Sequence, residues 1–93
     1  ILDEVKSTLA LLTAKAPGRA IEVRVPPYAA VQCGDGPTHT RGTPPNTIEM
    51  SADTWLALAS GKLSWSDAMS SGAIAASGVR ADLTEYLPLG SEA

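Results

Sequence analysis

The sequence predicts an α+β fold in which helices cover one face of a mixed, mainly antiparallel sheet. Three observations lead to this prediction. From residue 1 to 16, apolar residues recur every three or four positions, as they do on one face of a helix. Between residues 20 and 51 they alternate with polar residues in short runs, which is typical of strands. After residue 51, two helical segments begin at serines that can cap them, and a short strand follows.

The length and composition indicate one small globular domain spanning residues 1–93. The chain has 44% hydrophobic residues, 18% charged residues and a formal net charge of −3. Sequence-independent nucleic-acid binding needs a positive face, so we expect no nucleic-acid partner. The apolar runs fall short of the ~20 residues that span a bilayer, and the first residues lack the pattern of a signal peptide. We therefore expect a cytoplasmic protein without a transmembrane segment.

The first predicted element is an amphipathic helix over residues 1–16. Asp3 near its start and Lys15 near its end complement the helix dipole, and Pro17 stops the helix. One apolar stripe runs along it and requires a buried partner. The stripe consists of Leu2, Val5, Leu9, Leu12 and Ala16.

Three strands and a loop are predicted between residues 20 and 51. Residues 21–25 alternate apolar and charged side chains, and two prolines separate them from a second run at residues 28–33. Two strands joined in this way are expected to pair antiparallel. Residues 38–46 contain two prolines and a glycine and are interpreted as an ordered loop. Residues 47–51 alternate again and form the third predicted strand.

Two short helices are predicted over residues 52–72. Ser51 can cap the first helix, and Gly61 can end it in a left-handed conformation. Ser64 and Asp67 have the spacing at which each side chain can satisfy a free backbone N–H at the start of the second helix.

Residues 73–89 are predicted to form a strand and a closing turn. Residues 73–77 are too few for a helix between two glycines, so we interpret them as the fourth strand. Asp82 and Glu85 begin a last helical turn, which Pro88 ends. The two periodicities together predict a core made of Leu2, Val5, Leu9, Leu12, Ile21, Val23, Val25, Val31, Ile48, Met50, Leu56, Leu58, Leu63, Met69, Ile74 and Leu87.

The segment ASGKLSWSDAMSSGAIAASG resembles the C-terminal half of proteins of the sterol carrier protein 2 family. The segment VPPYAAVQCGDGPTHTRGTPPNTIEM resembles one part of that family, its short actinobacterial branch. With this segment the resemblance covers nearly the whole chain after Ala20. It implies a sheet of about five strands with helices enclosing an apolar tunnel. The fifth strand would lie in residues 37–42 or 79–81. The matching positions are Leu58, Gly61, Lys62, Leu63, Ala68, Gly72 and Gly78.

The resemblance implies a non-catalytic domain that binds or transfers a lipid or other apolar ligand in a pocket between sheet and helices. Two other roles remain: an accessory domain of a mycothiol-dependent isomerase of the maleylpyruvate type, or an interaction domain without a ligand. We expect no catalytic residues and no cofactor. One His and one Cys are too few for a zinc site, so we also expect no metal. Transient membrane contact and the oligomeric state stay open.

The polar candidate for ligand binding is Arg41, with His39 as a weaker helper. A guanidinium can hold a phosphate or carboxylate through two paired hydrogen bonds, so Arg41 is predicted to anchor an anionic head group at the mouth of the pocket. The alternative for Arg41 is a structural bond to Glu49 or to a loop carbonyl. Asn46 is interpreted as a turn residue that bonds its own backbone. Cys33 ends an alternating run and is interpreted as a small buried residue on a strand.

The apolar candidates for ligand binding lie on the helices and on the fourth predicted strand. The two tryptophans either line a tunnel or fill ordinary core volume. The two alanines either leave space for a ligand or let a helix approach closely. The candidates are Trp55, Leu58, Trp65, Met69, Ala75 and Ala76.

Overall fold

The computed structural model describes residues 1–36 and 46–89, and these form helices packed on a four-stranded sheet. The helices are α1 (Leu2–Lys15), α2 (Ala52–Ser60) and α3 (Trp65–Ser70), with a 3-10 turn at Thr84–Tyr86. The strands are β1 (Ile21–Val25), β2 (Ala29–Cys33), β3 (Thr47–Met50) and β4 (Ile74–Ser77). The α+β class is confirmed. Of the two places predicted for a fifth strand, residues 79–81 form none, and residues 37–42 lie outside the described residues.

The sheet is mixed and mainly antiparallel, as predicted. Its strand order is β2-β1-β3-β4, in which β1 pairs antiparallel with β2 and parallel with β3, while β4 pairs antiparallel with β3. Val23 lies opposite both Val31 and Ile48 on the face that the helices cover. Glu22 and Arg24 alternate with the buried residues and form an ion pair of 2.6 Å on the other face. The predicted register of β1 is therefore confirmed.

The core lies between this sheet and the helices. α1 packs against β2 and α2, and it turns Val5, Leu9 and Leu12 inward, each at most 1% exposed. From α2, Trp55 and Leu58 enter the same apolar cluster. The indole Nε1 of Trp55 donates a hydrogen bond of 2.7 Å to Thr8 Oγ1 on α1. This bond satisfies the polar atom of a large buried side chain and fixes α2 against α1.

The core prediction is wrong at two positions. Leu2 and Met69 are each 42% exposed. Leu2 is the first residue of α1, at the end of its stripe. Met69 lies on α3, a helix of 6 residues that buries only Ala68. A helix this short covers too little of the sheet to bury a second position.

The serine caps predicted for α2 and α3 are confirmed, whereas the described residues show no bond from a backbone N–H of α3 to the Asp67 carboxylate. Ser51 Oγ accepts a hydrogen bond of 3.2 Å from the backbone N–H of Thr54, and Ser64 Oγ accepts one of 3.1 Å from Asp67. Gly61 ends α2 with a φ of 87°, in the left-handed region. Across residues 1–36 and 46–89, none of the helices has both the length and the apolar character needed to cross a membrane.

Asn46 has a role that differs from the predicted local turn. Its side-chain Nδ2 donates 2.8 Å to the carbonyl of Ala20, and its Oδ1 accepts 2.9 Å from the backbone N–H of Arg80. Its own carbonyl accepts from Glu22 N at 2.9 Å. Asn46 is 3% exposed and joins the start of β1 to the closing segment. The prediction was wrong because these partners are distant in sequence.

Candidate functional site

The residues predicted to bind ligand are distributed over different parts of the molecule. His39 and Arg41 lie outside the described residues. Trp55 and Leu58 are fully buried in the core, Trp65 is half-buried, and Met69 is exposed on α3. The structure therefore brings Trp55 and Leu58 together in the core, away from the surface where Met69 lies.

Ala75 and Ala76 lie on β4, at the edge of the sheet, and both are exposed. Ala75 is opposite Glu49, on the face without helices. Ala76 is opposite Ile48, on the face that carries the core. Because successive side chains of a strand point to opposite faces, only Ala76 lies on the side where the ligand pocket was predicted.

A groove of about 560 Å³ lies between α1 and α2, and we call it the interhelical groove. Glu4, Ser7, Thr8 and Leu11 line it from α1, while Asp53, Leu56, Ala57 and Ser60 line it from α2. Ala59, Lys62 and Leu89 complete the lining. On each helix the four positions follow the i, i+3, i+4, i+7 spacing of a single face. These two faces adjoin the stripes that pack on the sheet.

The centre of the interhelical groove is apolar. Leu11, Leu56 and Leu89 contribute side chains, and Leu11 is 49% exposed. Leu89 is held in place because its backbone N–H donates 2.9 Å to the carbonyl of Ala59. The hydroxyl of Thr8 donates 2.6 Å to the carbonyl of Glu4 and accepts from Trp55. Since this wall hydroxyl already has protein partners, the centre offers mainly apolar contact.

The two ends of the interhelical groove carry opposite charges. Glu4 and Asp53 line its acidic end, near the starts of α1 and α2. At the other end, a cavity of about 520 Å³ continues past Leu11 and Leu89 to Lys15. Lys15 Nζ donates 3.3 Å to the carbonyl of Pro88, which precedes the lining residue Leu89. Lys62 and Lys15 therefore form the basic end.

A second, polar cleft of about 320 Å³ lies beside the closing segment. Arg80 Nη1 donates 3.3 Å to the carbonyl of Asp35 across it. Burial, with a smaller contribution from Glu85, raises the pKa of Tyr86. Because acidic and basic side chains both line this cleft, it suits a polar ligand group better than an apolar one. The lining residues are Ala20, Ile21, Gly34, Asp35, Arg80, Asp82, Thr84, Glu85 and Tyr86.

Cys33 is a buried strand residue, as predicted. It is 0% exposed, and burial raises the pKa of its thiol to about 11. A neutral, enclosed thiol is a poor nucleophile. In the part of the chain that the structure describes, no three His, Cys, Asp or Glu side chains are grouped closely enough to hold a metal ion.

Sequence reasoning missed the interhelical groove. Leu11 and Leu89 received no role from the sequence, and Leu56 was assigned to the core. The signal that could have identified the groove is the second face on each helix, which mixes small, polar and leucine residues at the same spacing as the buried stripe. Its position depends on how α1 and α2 lie side by side, and no local pattern specifies that.

Comparison with known proteins agrees with the fold. No curated protein matches the chain significantly. The family model described as bacterial SCP ortholog matches residues 1–89, which is nearly the whole chain. This match also bears out the resemblance to sterol carrier proteins read from the residues around Gly61 and Gly72. The chain therefore belongs to the bacterial SCP ortholog family.

Proposed function

We propose that this domain binds a lipid or another apolar small molecule in the interhelical groove and does no chemistry on it. Membership in the bacterial SCP ortholog family supports a lipid-binding type of domain. The observation that carries the location is the groove itself, with about 560 Å³ of open volume around Leu11, Leu56 and Leu89. Ligand sites commonly have volumes of roughly 300 to 1,000 Å³ and mainly apolar walls.

The space between sheet and helices is a less favourable location. Leu9, Val23, Ile48 and Trp55 fill it, and each is at most 1% exposed. A ligand there would have to displace these side chains. An empty cavity costs roughly 24 cal/mol per Å³, so a dry cavity of about 300 Å³ would cost about 7 kcal/mol, comparable to the stability of a small domain. The interhelical groove is already open and carries no such cost.

The exposed part of Leu11 explains how the groove can bind an apolar ligand. Fully burying a leucine side chain contributes about 1.5–3 kcal/mol, and Leu11, at 49% exposed, has about half of that gain left to realise. Leu56 is half-buried and adds a smaller gain. Because the groove opens along one side of the two helices, a ligand can enter and leave without unfolding the core. We therefore expect moderate affinity and rapid exchange.

Binding of a fluorescent fatty acid to three alanine-to-leucine variants tests this location. Ala57→Leu puts a larger side chain into the groove wall and should weaken binding about tenfold or more, equivalent to about 1.4 kcal/mol. Ala10→Leu, on the exposed side of α1 and outside the lining, is the matched control and should bind as the parent does. Bound probe should also raise the melting temperature of the parent.

Ala76→Leu completes the test because Ala76 lies on the face of the sheet where the sequence predicts a pocket between sheet and helices. If Ala76→Leu loses the probe while Ala57→Leu retains it, the ligand lies between sheet and helices and the proposed location is wrong. If the parent binds no apolar probe, the apolar-ligand function itself is rejected.

A further inference from the structure

We infer that two copies of this chain associate through α1, with the two α1 helices antiparallel and each lying in the interhelical groove of the other copy. This self-association is a property beyond ligand binding, and it uses the same surface. Its basis is the charge pattern of the groove, read together with the charge pattern of the helix that lines it.

The groove requires a particular charge order in any helix that enters it. A helix must bring a basic residue to the acidic end, at Glu4 and Asp53, and an acidic residue to the basic end, at Lys15 and Lys62. α1 itself carries Glu4 in its first turn and Lys15 in its last. Placed antiparallel in the groove of another copy, α1 meets both requirements.

A two-fold axis crossing α1 near its middle gives the pairing. It sets Glu4 against Lys15 of the partner subunit, and by symmetry Lys15 against Glu4 of the partner subunit. The two residues are about 16 Å apart along the helix, at a rise of 1.5 Å per residue. The same register sets Leu11, which is 49% exposed, level with Thr8 of the partner subunit. The exposed leucine is then covered at the centre of the contact.

The contact is expected to be weak and sensitive to salt. α1 has 14 residues and is about 21 Å long, so it covers less than the roughly 800 Å² per partner of a standard interface. Its ion pairs lie near the surface, where salt screens them. Since an apolar ligand and the second copy would occupy the same groove, each should displace the other by mass action.

Sedimentation equilibrium of the full chain at low salt, up to protein concentrations of about 1 mM, tests the inference. The parent should show a monomer–dimer equilibrium that weakens as salt is added. Glu4→Lys and Lys15→Glu should each weaken association at least about tenfold, because each replaces two attractive contacts by repulsive ones. The double variant Glu4→Lys/Lys15→Glu restores opposite charges between positions 4 and 15 across the two-fold axis but leaves Asp53 and Lys62 facing like charges, so it should recover part of the association that the single variants lose.

Asp3→Lys is the matched control. It reverses the charge of an acidic residue in the first turn of α1, so its unfavourable interaction with the helix dipole matches that of Glu4→Lys. Because Asp3 lies outside the groove lining, association should be unchanged. Circular dichroism checks that α1 is retained. If a charge-reversed variant unfolds, Glu4→Gln or Lys15→Gln, which removes the charge instead of reversing it, takes its place. A parent that stays monomeric, or a double variant that stays as weak as the single ones, overturns the inference. Probe binding by the same proteins tests the ligand proposal separately.

Discussion

α1 has two neighbouring faces with different properties. The face turned to the sheet carries Val5, Leu9 and Leu12, each at most 1% exposed. The face turned to the interhelical groove carries Ser7 and Leu11 with charged and hydroxyl neighbours, and Leu11 remains 49% exposed. One helix thus separates the residues that pack in the core from those that line the proposed ligand site. Substitutions on the first face should change the free energy of unfolding, and those on the second should change binding.

The same division appears on α2. Trp55 and Leu58 are buried against the core, while Leu56 and Ala57 line the groove and are half-buried. The hydrogen bond from Trp55 to Thr8 connects the two sides, because Thr8 belongs to the groove lining. Thr8 therefore links the wall of the groove to the buried side of α2.

The largest expected contrast is between two leucines on α1. Leu9→Ala removes a side chain that is 1% exposed and should lower the free energy of unfolding by about 2–5 kcal/mol. Leu11→Ala removes a half-exposed side chain and should cost less than about 1 kcal/mol, while weakening an apolar probe. Urea denaturation measures the free energy of unfolding of both variants, and titration with the probe measures their binding. Equal losses of stability would show that the two faces are not distinct.

A second contrast concerns two amide side chains, one buried and one exposed. Asn46→Ala leaves the carbonyl of Ala20 and the N–H of Arg80 without their partner, and it should lower the free energy of unfolding by about 2–3 kcal/mol. Gln32→Ala removes an exposed amide whose bond to Arg19 is at the surface, so its cost should stay within about 0.5 kcal/mol. Denaturation curves that give the same midpoint for both variants would contradict the structural role of Asn46.

A smaller effect is expected from Cys33 at high pH. Its thiol has a pKa of about 11 in the folded protein, above the ordinary value of 9.0, because burial disfavours the thiolate. Below about pH 8 the thiol keeps its proton in both states and the contribution is complete. As pH rises from 9 to 11 the unfolded chain loses the proton first, so unfolding becomes easier, by about 1.4 kcal/mol at pH 10.

Comparison with Cys33→Ala isolates the contribution of the thiol from the other effects of high pH on stability. The variant should be less stable than the parent at pH 7, because it leaves a small cavity. The stability difference between parent and variant should then shrink between pH 9 and pH 11. A difference that is constant over this range would mean that the pKa of Cys33 is the same in the folded and unfolded states.

Much of the fold could be predicted because its signals are local. The stripe of Val5, Leu9 and Leu12 has helical spacing, and the caps at Ser51 and Ser64 depend on residues three positions away. The antiparallel pairing of the first two strands also followed from their short connection. Each of these features is decided within a few residues, where propensity and capping dominate.

The remaining features depend on long-range packing. Asn46 bonds Ala20 and Arg80, and its neighbouring prolines indicated only a local turn. Met69 has a core-type side chain, yet α3 is too short to bury it. The groove around Leu11 depends on the separation of two helices that lie far apart in the sequence. The predicted roles of His39 and Arg41 remain predictions, since both residues lie outside the described part of the chain.

A backbone-amide NMR titration of the protein with a fluorescent fatty acid, or with its unlabelled analogue, tests the proposed ligand site most sharply. We expect the largest chemical-shift changes at Ser7, Leu11, Leu56 and Ala57, which line the interhelical groove, and small changes at Val23 and Ile48. If the largest changes instead fall at Val23, Ile48 and Ala76, with little change along the groove, the ligand lies between sheet and helices and the proposed location is wrong.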